Sequence, residues 1–81
     1  MTRDDIFQKV NGVFRDVFDD ESITVNEATT ASDIDEWDSL EHINLILAIE
    51  SEFKMKFSLG EVMQMKNVGE MVDIIKDRSG V

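Results

Sequence analysis

Residues 37–53 read WDSLEHINLILAIESEF, and this stretch decides the fold. Asp38 stands three positions before Glu41, which is the spacing of a helix N-cap and an acidic first turn. Two apolar stripes follow at helical spacing. They consist of Ile43, Ile46 and Leu47, and of Leu45, Ile49 and Phe53. The stretch therefore predicts a helix from Ser39 to Phe53 that is apolar on more than one side and lies centrally in the fold.

The same start signal occurs three more times, each time before a further helical segment. The pairs are Thr2 with Asp5, Ser58 with Glu61, and Asn67 with Glu70. They predict a first helix from about Arg3 to Phe18, a short third helix near Leu59 to Met65, and a fourth from Val68 to about Arg78. The predicted fold class is all-α, a four-helix bundle.

A long connection joins the first two predicted helices. Residues 19–37 are rich in Asn, Thr, Ser and Asp, which argues against a helix of any length there. We expect this loop to cross the bundle, pinned by Ile23, Val25 and Ile34.

The composition describes one small domain. The chain has 81 residues, 42% of them apolar, and no proline or cysteine. A chain of this length forms one small core, so we expect a single domain over residues 1–81. Without cysteine and with one histidine, disulfide and zinc frameworks are excluded.

Negative charge dominates the first two thirds of the chain. The net charge is −10, and residues 16–53 contain twelve carboxylates without a Lys or Arg. This field repels phosphate backbones and anionic lipids, so nucleic acids and membrane surfaces are excluded as direct partners. It predicts a partner protein with a basic patch. Since no membrane span or signal peptide is recognisable, we expect a cytoplasmic monomer.

Two catalytic or metal-binding alternatives fail on the residues around the start of the second helix. A calcium loop from Asp33 has Asp38 where glycine is needed and Asn44 where the bidentate glutamate belongs. Ser39 and His42 share a helical face, but no glycine-rich oxyanion turn accompanies them as in a hydrolytic site. We interpret His42 as a surface or half-buried helix residue.

Ser39 is the candidate for modification. If Asp38 caps the helix, Ser39 is its first residue, with its hydroxyl beside backbone N–H groups that have no intrahelical acceptor. The helix dipole and those amides stabilise a phosphate, which makes Ser39 a plausible attachment point for a phosphorylated group. Taken in isolation, Asp38-Ser39-Leu40-Glu41 is also compatible with a helix cap at Asp38 followed by an unmodified serine.

The sequence resembles the acyl carrier protein family over essentially its whole length. The resemblance is carried by Asp38-Ser39-Leu40-Glu41, by the run from Ile43 to Phe53, and by Val68-Gly69-Glu70-Met71-Val72-Asp73-Ile74-Ile75. It implies a carrier, not an enzyme, that bears 4′-phosphopantetheine from coenzyme A on a serine, which by the motif is Ser39. The terminal thiol of that arm would hold acyl groups as thioesters for successive biosynthetic enzymes.

The resemblance also implies roles for the neighbouring residues. Asp38 and Leu40 would be read by the phosphopantetheinyl transferase beside Ser39. An acidic face of the second helix would meet basic patches on the transferase and on acyl-loading, condensing or acyl-transfer enzymes. Its residues would be Glu41, Glu50 and Glu52.

Five residues depart from the pattern of fatty-acid carriers. Asn44 stands where those usually have an acid, and His42 stands where they favour an aliphatic residue. Lys54, Lys56 and Lys66 flank a third helix that is typically acidic in them. The departures predict a specialised carrier serving a dedicated biosynthetic cluster. The alternatives are an aminoacyl or peptidyl carrier of such a cluster, and a cofactor-free acidic helical interaction module.

Overall fold

The computed structural model describes residues 2–78 of the chain. This range contains four α-helices and one short 3-10 turn, joined by loops. In chain order they are α1 (Arg3–Val17), the 3-10 turn (Ala31–Asp33), α2 (Ser39–Phe53), α3 (Leu59–Gln64) and α4 (Val68–Arg78). This range contains no strand, so the all-α, four-helix prediction is confirmed. None of its helices has the length and apolarity needed to cross a membrane.

All four helices begin where their capping residues predict. At each start, a side-chain oxygen of the capping residue accepts a hydrogen bond from a backbone N–H three residues later. The donor and acceptor residues are Asp5 and Thr2, Glu41 and Asp38, Glu61 and Ser58, and Glu70 and Asn67. α1 ends one residue earlier than predicted because Asp19 turns into the left-handed region with φ 51°. α3 also ends one residue earlier, since Met65 is already extended.

The core is built from one face each of α1, α2 and α4. The side chains that α2 buries are Leu45, Ile46, Ile49 and Phe53. The buried side chains of α1 are Ile6, Val10, Val13 and Phe14, and α4 buries Val68, Met71, Val72 and Ile75. α3 buries none of its residues completely. It is therefore a short helix lying on the bundle and contributes little to its core.

α2 is apolar on more than one side, as the sequence predicts, but the side formed by Ile43, Ile46 and Leu47 is only partly buried. Ile43 and Leu47 are 57% and 58% exposed, while their stripe neighbour Ile46 is buried. α3 is six residues long and leaves this side of α2 uncovered within the described range.

The loop from residue 19 to residue 38 crosses the bundle as predicted. Val25 is buried in the core, and Ile23 and Ile34 pack against it half-buried. The 3-10 turn at residues 31–33 corrects the prediction that no helix of any length forms here. The Asp33 N–H closes this turn by donating to the Thr30 carbonyl oxygen at 3.0 Å. The Asp33 carboxylate in turn accepts from the Thr30 N–H at 2.9 Å.

The middle of the loop is docked on the start of α4. The backbone N–H groups of Val68 and Gly69 donate to the carbonyl oxygens of Thr29 and Glu27 at 2.9 and 3.1 Å. A Cβ at position 69 would lie 2.8 Å from the Glu27 oxygen, so this close approach requires glycine. Arg3 adds hydrogen bonds to the carboxylates of Glu27 and of Asp73 on α4.

Candidate functional site

Ser39 is exposed at the first position of α2, where the long loop meets the helix. Asp38 before it is extended, and its Oδ1 accepts from the Glu41 N–H at 2.8 Å. The Asp38 carbonyl accepts the first intrahelical bond, from the His42 N–H at 2.8 Å. Asp38 is therefore the cap that the sequence predicted, and the Ser39 hydroxyl lies at the positive end of the helix dipole.

Trp37 anchors the chain immediately before this site. Its ring meets Phe14 edge-on with centroids 5.2 Å apart, and Phe18 lies 6.4 Å away on the same side. The indole N–H donates to His42 Nδ1 at 3.0 Å. The position of Asp38 and Ser39 is thus fixed by an aromatic contact to α1 and a hydrogen bond to α2.

An open cleft of about 580 Å³ lies beside Ser39, between α2 and α3. Its walls are mostly apolar, with Ile43 from α2 and Val62 and Met63 from α3 among them. Lys66 adds a cationic side chain at its edge. A group attached to Ser39 therefore has a place to lie against the protein.

His42 is half-buried, as the sequence predicts, and is not arranged to activate Ser39. Nδ1 accepts from Trp37, and Nε2 lies 3.3 Å from the Val62 carbonyl oxygen. Both ring nitrogens thus have partners other than the Ser39 hydroxyl, which argues against a hydrolytic dyad. Over residues 2–78, no cluster of three or more His, Asp or Glu side chains is placed to hold a metal ion.

Comparisons with known proteins agree with this geometry. The chain is 35% identical over 78 residues to an acyl carrier protein of Coprothermobacter proteolyticus, covering 94% of this chain and 93% of that protein. It is 31% identical to an acyl carrier protein of Petrotoga mobilis, covering 100% and 95%. No family model matches the chain. The chain belongs to the acyl carrier protein family.

A solved structure shows the same fold in this family. The solution structure of a holo acyl carrier protein from Geobacter metallireducens superimposes with a TM-score of 0.86 at 44% identity, over 91% of this chain and 85% of that one. The resemblance predicted from the sequence is confirmed. This protein is an acyl carrier whose cofactor is covalently attached phosphopantetheine.

The three acids that were predicted to bind partners lie at different positions along α2 and have different neighbours. Glu41 lies near Ser39 and accepts from the Asn44 side chain at 3.1 Å. Glu50 and Glu52 lie near the other end of α2, which by helix rise is about 17 to 20 Å along the axis. The three carboxylates therefore do not form one compact patch around Ser39.

Glu50 has a structural contact that the sequence did not reveal. It is half-buried, and its carboxylate accepts from the Phe57 backbone N–H at 2.7 Å, which fixes the connection between α2 and α3. Glu52 is exposed, with Lys9 Nζ of α1 at 3.7 Å. Glu50 is thus engaged within the protein, whereas Glu52 is weakly paired and accessible.

An exposed apolar surface next to Ser39 was missed by the sequence reasoning. We name it the apolar stripe, and its residues are Leu40, Ile43 and Leu47 on α2 and Leu59 and Met63 on α3. The sequence assigned Ile43 and Leu47, with Ile46, to one apolar side of a central helix, and it gave Leu40 as a residue of the motif around Ser39. Only the length of α3 and its placement reveal that this face is open.

Proposed function

We propose that Ser39 is the residue that carries the 4′-phosphopantetheine arm of this acyl carrier. The observation that carries the proposal is the position of Ser39, exposed at the start of α2 behind a formed Asp38 cap and beside the cleft. The first-turn amides of α2 supply the positive potential that a phosphodiester at this position needs. The residues present therefore fit the cofactor.

The chemistry required of the protein is limited. The Ser39 hydroxyl oxygen attacks the pantetheine-side phosphorus of coenzyme A in the transferase, a new O–P bond forms, and the adenosine bisphosphate leaves with the bridging oxygen. The Ser39 proton passes to a base of the transferase. When attached, the arm supplies a terminal thiol that holds the acyl group as a thioester. This chain acts as the covalent shuttle, and the bond-forming enzymes are its partners.

Asp38 and Leu40 are proposed to be read by the phosphopantetheinyl transferase together with Ser39. Asp38 sets the backbone shape of the motif through its cap. Leu40 is 66% exposed, so it is accessible to a partner and is not a core residue. A transferase that contacts both sides of Ser39 would hold its hydroxyl in line with the phosphorus.

The proposed partner surface combines charge and apolar contact. Glu52 is exposed and accessible to a basic patch. Glu41 and Glu50 are half-buried and are proposed to contribute through their charge, since their carboxylates already accept from Asn44 and from the Phe57 N–H. The apolar stripe lies on the same side as Ser39 and supplies contact area. Asn44, exposed on α2, supports a specialised carrier with dedicated partners. We further propose that the protein acts in the cytoplasm.

Intact-mass measurement tests the attachment. The purified chain is incubated with coenzyme A and a broad-specificity transferase, and we expect a mass gain of one phosphopantetheine. Ser39→Ala should keep its helical circular dichroism spectrum and gain no mass. Ser51→Ala, which removes another exposed serine of α2, is the matched control and should be modified like the parent. Modification of Ser39→Ala, or no modification of the parent beside a modified control carrier, refutes the proposal.

The alternatives raised by the sequence are not favoured. The relatives and the solved neighbour are all acyl carrier proteins, and the neighbour is a holo form. A cofactor-free interaction module would leave Ser39 unmodified in the experiment above. An aminoacyl or peptidyl carrier would differ in which loading enzymes act on the modified chain, which thioester formation with each enzyme class measures.

A further inference from the structure

His42 connects three parts of the molecule around the cleft. It lies on α2, its Nδ1 accepts from Trp37 at the end of the long loop, and its Nε2 lies 3.3 Å from the carbonyl oxygen of Val62 on α3. The Trp37 and His42 rings are also nearly parallel, with centroids 5.9 Å apart. Trp37, His42 and Val62 all line the cleft beside Ser39.

The hydrogen-bond partners determine the protonation state of this imidazole. An indole N–H can only donate, so Nδ1 must be unprotonated to accept from Trp37. The ring proton is then on Nε2, which donates to Val62. A doubly protonated imidazole would place an N–H against the indole N–H and lose this bond. The arrangement therefore requires neutral His42.

The attachment of α3 to the bundle depends on few other contacts. α3 buries none of its six residues completely. Val62 packs partly buried against the core, and Arg78 of α4 donates to the Glu61 carboxylate at 2.5 Å. Elements with few buried apolar contacts open locally at low free-energy cost. Removal of the His42 bond is therefore expected to have a measurable effect on α3.

We propose that His42 is a positioning residue that latches α3 to α2 and Trp37 when neutral, and that its protonation releases α3 and widens the cleft beside Ser39. Its relevance to cargo rests on the proposed attachment at Ser39, whereas the latch itself can be tested on the unmodified chain. Loss of the latch would change how a group on Ser39 is sheltered. The proposal makes His42 a determinant of access to the cleft.

The charged groups around the latch are mostly occupied. They are Asp38 before α2, Glu41 on α2, Glu61 on α3 and Lys66 after α3. Asp38 accepts a hydrogen bond from the Glu41 N–H, and Glu41 accepts one from the Asn44 side chain. Glu61 accepts from Arg78 and from the Ser58 N–H. Lys66 lines the same cleft. Imidazoles change charge between about pH 5 and 8, so the test covers that range.

The test uses the unmodified chain and two readouts. Trp37 is the sole tryptophan, so its fluorescence reports on the latch directly. Amide hydrogen exchange of residues 59–64, corrected for the intrinsic pH dependence, reports on α3. Between pH 8 and pH 5 we expect lower Trp37 fluorescence and α3 exchange that is on the order of 2- to 10-fold less protected, the effect of losing one hydrogen bond.

Two variants separate the latch from other pH effects. In His42→Gln the amide can accept from Trp37 and donate to Val62 but cannot gain a proton in this range, so protection of α3 should stay high and its pH dependence should disappear. In His42→Leu, α3 should be poorly protected at every pH. Ser39→Ala should titrate like the parent, which makes the result independent of the attachment site.

Three outcomes would overturn the proposal. The first is α3 protection in His42→Leu equal to that of the parent at pH 8, which would show that the His42–Val62 bond does not hold α3. The second is a loss of α3 protection on acidification that persists in His42→Gln, which would assign the transition to another group. A fluorescence change without a change in α3 exchange also refutes it, since protonation would then quench Trp37 without releasing α3.

Discussion

Gly69→Ala tests the docking of the long loop on α4. The new methyl group would lie 2.8 Å from the Glu27 carbonyl oxygen and 3.2 Å from the Glu27 Cα. Both atoms belong to the backbone, so the loop must move away. This movement weakens the bonds that Glu27 and Thr29 accept from the first two amides of α4, at 3.1 and 2.9 Å.

The expected change in the free energy of unfolding is the balance of two destabilising contributions and one stabilising contribution. Overpacking costs about 1 to 3 kcal/mol, and each weakened hydrogen bond costs up to about 1 kcal/mol. Replacing glycine by alanine inside a helix returns about 1 kcal/mol. We expect a net loss of roughly 1 to 3 kcal/mol in the free energy of unfolding. For a domain of this size each kcal/mol lowers the Tm by about 4 to 8 °C.

The assay is urea and thermal unfolding followed by far-ultraviolet circular dichroism. Gly12→Ala in α1 is the matched control, because a Cβ at that position meets nothing within 4 Å. It should be neutral or stabilising by up to about 1 kcal/mol, since it has the propensity gain without the clash. A Gly69→Ala variant as stable as the Gly12→Ala variant would refute the reasoning and show that the loop is not held at this point.

Three further perturbations test the surface around α2 and α3. Glu50→Ala should lose about 1 to 2 kcal/mol of stability in urea unfolding because a half-buried N–H loses its acceptor, whereas Glu52→Ala should change stability by less than about 0.5 kcal/mol; equal losses would contradict the assignment. The pKa of Glu61 is lowered chiefly by the hydrogen bond that its carboxylate accepts from the Ser58 N–H. Its stabilisation of α3 is therefore complete above its unfolded-state pKa and is lost as pH falls through the folded-state pKa. In Glu61→Gln, the loss of α3 amide protection that comes from protonation of Glu61 should be absent. Leu47→Ser should leave the Tm within about 3 °C of the parent, since the side chain is exposed, yet slow transfer of phosphopantetheine in a rate assay; an unchanged rate would remove it from the partner surface.

The elements that depend on local chemistry could be predicted from the sequence. The four helix starts follow from a cap and a carboxylate three residues later, and Asp38 forms the expected bond to Glu41. The long loop was recognised from its composition, although its 3-10 turn was not. That turn has the same spacing of a capping residue and an acid, Thr30 and Asp33, as the four helix starts, but it is only three residues long and does not continue into an α-helix.

The features that depend on which surface is covered could not be predicted. Periodicity assigns Ile43 and Leu47 to an apolar face, but it does not say that α3 is too short to cover that face. Glu50 reads as a surface acid, because its bond to the Phe57 N–H arises only when the chain turns back after α2. The position of Ser39 at the start of α2 could be predicted from its motif and from the Asp38 cap, since both are local, and its attachment role is a proposal.

The docking of the loop on α4 also has a mechanical consequence. At the end of the bundle where α4 begins, the loop, α1 and α4 are joined by two backbone hydrogen bonds and by the side chain of Arg3. At α3, a helix of six residues is held by side-chain contacts. The loop, α1 and the start of α4 are therefore held more rigidly than α3. We expect the largest thermal displacements in α3. A partner that docks on α2 would then meet a rigid helix beside a short helix that can shift to fit it.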